Sequence, residues 1–247
     1  MCTSATQLLT PPHERKCPIN IDDIQDEDAR IPEGAHPFDM MFGKQLDLMY
    51  KYGPMEAKNG CVVPAPPYNI DNRAVQSRIK DMFWRTTEEL SEALEVLYRV
   101  DWANWYKEWD TNADTRHFWE EIGDAAHFLI EASIYANLTP EWCTEAAGMR
   151  LISNEFMRGT APESHQVVKE VCTNPMVAMG LCANCLKNKP WKESMMATDM
   201  NQFMTQFGVV WASFGNLFKS LGADAAWMYS LYYKKNQVNQ FRQRTNY

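Results

Sequence analysis

The chain has 247 residues, with 45% hydrophobic and 12% aromatic content, which is material for a sizeable core and excludes wholesale disorder. Its net charge of -8 excludes a general basic surface for nucleic acid, so an anionic ligand needs a metal or a local cationic cluster. No apolar run is long enough to cross a bilayer. The seven cysteines are odd in number and scattered behind a polar, proline-broken start, which reads as a reduced, cytoplasmic protein with no membrane partner.

Residues 1–36 are rich in Pro, Asp and Glu without periodicity and read as an extended N-terminal arm ahead of one domain, 37–247. MFGKQLDLMYKYG, 41–53, has helical spacing and ends on glycine: a short helix. A proline-broken connection follows at 60–70. Over 72–100, Val75, Ile79, Phe83, Leu90, Leu94 and Leu97 recur at helical spacing and predict one long helix. A tryptophan-rich connection, 101–114, leads to a second strong helix, 115–137, which Leu138-Thr139-Pro140 ends. Residues 141–200 form an elaborated region: a helix over 141–157, then a loop-rich stretch holding Cys172, Cys182, Cys185 and Pro190. A helix over 200–221 stops at Gly222, and Asp224 caps a last helix running to about residue 244. Alternating strand patterns are nearly absent, so the fold class is all-α, a helical bundle.

EELSEALEVL (88–97) and EEIGDAAHFL (120–129) are nearly one sequence written twice: Glu89 falls on Glu121, and Glu92 on Asp124. With Leu90 and Ile122 as centres of their apolar stripes, each helix carries a carboxylate pair at i and i+3 on the same flank. If the stripes pack as an antiparallel pair, both flanks can share one space. Four carboxylates there repel and require protons or a cation. An all-oxygen donor set suits Mg²⁺ or Mn²⁺ over Zn²⁺, and points to a phosphate-ester or phosphoanhydride substrate attacked by metal-activated water. The plainer alternative also stands: acidic pairs are common on solvated helix faces, and a duplication can carry them passively.

The last fourteen residues, KKNQVNQFRQRTNY, contain Lys234, Lys235, Arg242 and Arg244 and no acid. Lys235, Asn239 and Arg242 can line one helical face suited to phosphate oxygens. Such a cluster also complements a helix dipole, or serves as a nucleic-acid tail in which Phe241 and Tyr247 stack on bases. Cys182-x-x-Cys185, with Cys172 and His165 upstream, is a weak zinc signal that core cysteines explain as well. His127, one turn after Asp124, is a candidate partner for a ligand or a satisfied core histidine. Neither a P-loop nor a GxGxxG is present.

The paired acidic motifs, with Glu121-Ile-Gly-Asp124-Ala-Ala-His127-Phe128, the Lys235-x-x-x-Asn239-x-x-Arg242-Gln243 tail ending at Tyr247, and Met41-Phe-Gly-Lys-Gln45 near the start, resemble the all-α nucleoside triphosphate pyrophosphohydrolases. That superfamily includes MazG-type enzymes; the tail is most similar to that of the dimeric dUTPases and their phage dCTPase/dUTPase relatives. The resemblance implies Mg²⁺-dependent conversion of dUTP to dUMP and diphosphate in a homodimer. Glu89, Glu92, Glu121 and Asp124 would be the metal ligands, with Glu89 orienting or deprotonating the water. Lys235, Asn239, Arg242 and Tyr247 would hold phosphates, Gln45 would read the pyrimidine edge, and Trp84 would pack near base or sugar, although an aromatic there is also an ordinary core residue. Leu48 stands where the family often has an Asn, which leaves dCTP or a broader triphosphate range as an alternative. Asn246 replaces the Gly usual before the final Tyr. The arm and the 141–200 region look like additions to the family core, as in a phage or divergent member. An alternative of another class is a non-catalytic helical interaction protein.

Overall fold

The computed structural model describes residues 19–101, 113–149 and 162–245; among them lie seven α-helices and no strand. Helix α1 (Pro37–Lys58) starts with proline in its first turn, and His36 Nδ1 accepts from the Phe38 N–H at 3.3 Å. It is longer than the 41–53 segment because Gly53 and Pro54 do not stop it. Pro54 sits on the exposed side near the helix end, where one missing backbone bond costs little. Helix α2 (Arg73–Arg99) is capped by Asn72, whose side chain accepts from the Ala74 N–H at 2.7 Å. Then come α3 (Ala113–Tyr135) and the short α4 (Pro140–Ala147), which ends on Gly148 at φ 61°. That left-handed glycine ends the helix expected over 141–157 well short of its predicted end; residues 150–157, and 102–112 of the tryptophan-rich connection, lie outside the described residues.

The larger departure is at 165–185, expected to be loop-rich and found as helix α5 (His165–Cys185). Val168, Val171, Cys172, Pro175, Ala178, Met179, Cys182 and Cys185 form its buried face at helical spacing, so the cysteines act as small apolar side chains. Pro175 is carried inside the helix. Helices α6 (Met200–Ser220) and α7 (Ala225–Thr245) follow; Asp199 and Asp224 cap them by accepting from the Gln202 and Trp227 N–H groups at 3.0 and 2.8 Å.

Side-chain pairs define the packing directions. Arg78 of α2 meets Glu131 of α3, and Glu89 meets Glu121, so these two helices run antiparallel with their apolar stripes together. Lys235 and Tyr232 of α7 meet Asp124 and His127 of α3, a second antiparallel pairing. Helix α1 runs alongside α7, with Gln45 bonded to Tyr232 and Lys51 to Gln240. Helix α5 packs on α2 and α6, and α6 reaches α2 through Phe207, whose ring lies 5.1 Å from that of Phe83 between centroids. Trp211, fully buried on α6, donates its indole N–H to Ser133 Oγ at 3.0 Å. Part of the expected arm is docked: two 3-10 turns, Ile21–Asp23 and Asp26–Ala29, bury Ile21 and Ala29, and Lys234 Nζ reaches Asp26 at 2.6 Å.

Gly215 of α6 lies against the end of α4, where an added Cβ would stand 2.1 Å from the Ala147 carbonyl oxygen. Gly208, on the same helix, would meet only the Trp142 ring at 3.8 Å. Gly215→Ala is therefore expected to destabilise by roughly 1–3 kcal/mol through forced separation of the helices. Gly208→Ala should stabilise by roughly 0.5–1 kcal/mol by stiffening the helix. Urea denaturation of the two variants checks the opposite signs.

Candidate active site

Glu89 and Glu92 project from α2 and Glu121 from α3 so that one oxygen from each lies within 4.8 Å of the others. Glu89 and Glu121 share a side-chain hydrogen bond, which requires a proton between them. Burial, then the charge of Asp124, pushes Glu89 up to about 8; burial also raises Glu121. On its other side Glu121 lies 3.0 Å from His117 Nδ1, one turn earlier on α3. Three carboxylates this close, two above the ordinary carboxylate range, form an oxygen-only cage that fits a hard divalent cation.

Asp124 faces the same space but is held from behind. Lys235 Nζ lies 2.7 Å from Asp124 Oδ2 and 2.8 Å from Glu120 Oε1, and Lys235 is only 3% exposed. Burial works against the lysine's charge, yet Asp124 and Glu120 outweigh it and hold its pKa above the usual value. Gly123 makes the approach feasible: a Cβ there would stand 3.3 Å from Lys235 Cγ. The lysine expected on phosphate is thus bound to the carboxylates.

Beside the cluster a cavity of about 380 Å³ opens between α1, α2, α3 and α7. Of the residues singled out from sequence, Gln45, Glu89, Asp124, Asn239 and Arg242 line it; Glu92, Glu121 and Lys235 lie outside its lining. Among the described residues the buried Arg242 Nε has no hydrogen-bond partner, which leaves a donor for an anion. Leu48, Met49, Met82 and Phe128 supply apolar wall. Trp84 takes neither expected position: it is 63% exposed, outside the cavity lining, and donates to Glu88 at 2.8 Å. Tyr247 lies outside the described residues.

At the far end of the cavity Gln45 sits in a network of residues that sequence reasoning missed. Arg78 Nη2 lies 3.0 Å from both oxygens of Glu56 and 3.1 Å from Glu131 Oε1. The other Glu131 oxygen accepts from Gln45 Nε2 at 2.9 Å, and Gln45 Oε1 accepts from the Tyr232 hydroxyl at 2.8 Å. Burial pushes Glu131 up to about 7 despite Arg78, whose single charge is shared with Glu56. The available signal was a charged residue inside an apolar stripe: Arg78 falls between Val75, Ile79 and Met82, and Glu131 between Ile130 and Ala132 on a helix buried nearly all round. His127 is neutral, pushed down to about 4 by burial. Its ring stacks on Tyr232 at 3.9 Å, and its Nδ1 lies 2.9 Å from the Gly123 carbonyl oxygen.

Among the described residues, Cys182 and Cys185 belong to no cluster of three metal-donor side chains. Burial raises the thiols of Cys172, Cys182 and Cys185, which disfavours thiolate, and Cys143 is pushed up to about 12.

An all-helical bundle with clustered carboxylates beside an amide-lined cavity is the architecture of a nucleotide pyrophosphohydrolase, and a family model agrees. The model described as dUTPase matches residues 80–247, more than half of the chain, so the chain belongs to that family. The matched span takes in both acidic motifs and α7, and leaves out α1 with Gln45. No curated protein and no solved structure matches. Among the described residues no helix is long and apolar enough to cross a membrane.

The raised Glu89 sets a pH dependence for the metal-free chain. The folded state holds a proton that the unfolded state gives up near 4.5, so stability falls as pH rises from about 4.5 to about 8 and levels off above. In chelator, melting temperatures across that window should fall with pH, and Glu89→Gln should flatten the slope.

Proposed function

We propose that this chain hydrolyses dUTP to dUMP and diphosphate, with Mg²⁺ held by Glu89, Glu92, Glu121 and Asp124. The observation that carries this reading is one cavity with two unlike ends. The carboxylates stand at one end. The Gln45 amide stands at the other, beside Glu131, seven residues and so about 10 Å along α3 from Asp124. That separation suits a nucleotide lying along the cavity, triphosphate toward the acids and base toward the amide.

A bound divalent cation supplies charge neutralisation at the phosphates and acidifies a water molecule. The chain's own residues do the rest. Glu89, freed of the proton it shares with Glu121 when a cation is bound, accepts the proton of the attacking water as the new P–O bond forms and the anhydride bond breaks, releasing diphosphate. Asn239 and Arg242 face the cavity as phosphate donors, and the buried Arg242 Nε has a bond to give. Lys235 fixes Asp124 in place and balances its charge. The apolar wall keeps bulk water from the base. The active species is a homodimer, as the dimeric members of the resemblance imply.

One observation favours a second substrate. Leu48 lines the cavity where an Asn would offer the base another hydrogen bond, so dCTP or a wider range of triphosphates is the competing reading. A panel of deoxynucleoside triphosphates with Mg²⁺, scored for diphosphate, decides between them, with dUTP expected to be fastest. Glu89→Gln and Asp124→Asn should each lower diphosphate release by about 100-fold or more while the fold persists. Undiminished hydrolysis in both variants would sink the assignment of these carboxylates.

A further inference from the structure

The geometry points to Glu131 as the residue that decides which pyrimidine the cavity accepts, by fixing the sense in which the Gln45 amide faces it. This rests on the nucleotide reading above and names how its base specificity is set. Glu131 is a positioning residue here: it acts on the base through Gln45.

The two ends of a glutamine amide are nearly alike in shape, so packing alone does not choose between its orientations. Here hydrogen-bond partners choose. Nε2 donates to Glu131 at 2.9 Å, and Oε1 accepts from the Tyr232 hydroxyl at 2.8 Å. With Glu131 ionised, reversing the amide would set its oxygen against a carboxylate that has no proton to give. Glu131 is itself anchored, because its other oxygen accepts from Arg78, which also grips Glu56. Gln45 and Tyr232 are both buried, and Tyr232 is further held by its stack on His127. The chain from Glu56 through Arg78, Glu131 and Gln45 to Tyr232 therefore ties α1, α2, α3 and α7 to one orientation of one amide.

Each of those bonds uses half of what the amide offers. Nε2 keeps a second N–H and Oε1 a second lone pair, a donor and an acceptor in fixed order on the cavity wall. Uracil meets such a pair with N3–H to Oε1 and a carbonyl to Nε2. Cytosine meets it with its amino group to Oε1 and N3 to Nε2, one ring position out of register. With the triphosphate held at the carboxylate end, the ring cannot slide to satisfy both patterns. A locked amide thus seats one base and leaves the other with an unmatched polar edge, which is costly in a buried site. A freely reversing amide would seat both.

The test compares binding of the α,β-imido analogues of dUTP and dCTP, with Mg²⁺, by calorimetry on the full chain. The wild type is expected to favour one analogue by about tenfold or more. At about pH 8.5, where Glu131 is ionised and can only accept, Glu131→Gln puts in its place an amide that can satisfy Gln45 in either sense, and should bring that ratio toward one. In turnover the loss should fall on KM more than on kcat. Tyr232→Phe keeps the ring on His127 and removes only the O–H; it should lower the ratio in the same direction by a smaller factor, and it decides the matter if Glu131→Gln does not fold. Melting curves establish which variants are folded. A folded variant set that keeps the wild-type ratio, or a wild type that binds both analogues equally, overturns the role of Glu131 and leaves the nucleotide site standing. A wild type that binds neither analogue overturns the site itself, and this inference with it.

Discussion

Carboxylates from two helices cannot share a half-buried seam without a compensating charge, and the surrounding structure is arranged to provide one. Glu89 and Glu121 hold a proton between them, His117 lies against Glu121, and Lys235 reaches through the gap left by Gly123 to pair with Asp124 and Glu120. In a medium less polar than water each of these contacts is worth more than it would be on the surface, and the loss of any one leaves an acid exposed to the repulsion of the others. The docking of α7 on α3 is in this sense an electrostatic requirement as much as a packing one.

The antiparallel crossing of α2 and α3 then gives the site its length. Along α2, Arg78, Met82, Arg85 and Glu89 lie in one seam; along α3, Asp124, Phe128, Glu131 and Tyr135 lie in the facing one. Because the helices run in opposite directions, the acidic end of each seam meets the acidic end of the other, and Arg78 meets Glu131. One cavity therefore grades from a cluster of acids, through apolar wall, to a neutral amide held by a buried ion pair. Among the described residues, every side chain that lines the cavity stands on a helix of the bundle.

Much of this was legible in the residues. The phase of Glu89, Glu92, Glu121 and Asp124 against Leu90 and Ile122 specified two carboxylate flanks, and periods of 3.6 located α2, α3, α6 and α7 within a few residues. What was not legible has particular causes. Cys172, Cys182 and Cys185, followed by Pro190, resemble loop chemistry, but a helix treats cysteine as a small apolar group and Pro190 lies beyond its end. Lys235 has the spacing of a phosphate contact, and only the closeness of α7 to Gly123 reveals that it bonds acids. Trp84 lies one turn before Glu88 on a face that packing turned outward. The Arg78, Glu131 and Gln45 network joins residues up to 86 positions apart, and no local pattern announces such a contact.

The ion pairs of Lys235 also bear on the order in which the protein can assemble. Helices α2 and α3 are neighbours in sequence and would pair early as a hairpin, but that hairpin alone brings Glu89, Glu92, Glu120, Glu121 and Asp124 together with no lysine among them. The cation that settles the pair Glu120 and Asp124 is on α7, more than a hundred residues further along the chain. Synthesis therefore delivers the acids long before their counter-charge, and the nascent hairpin must stay open, take up protons or borrow a cation until the last helix arrives. Closure of the site is in effect a signal that the chain has been made through to α7.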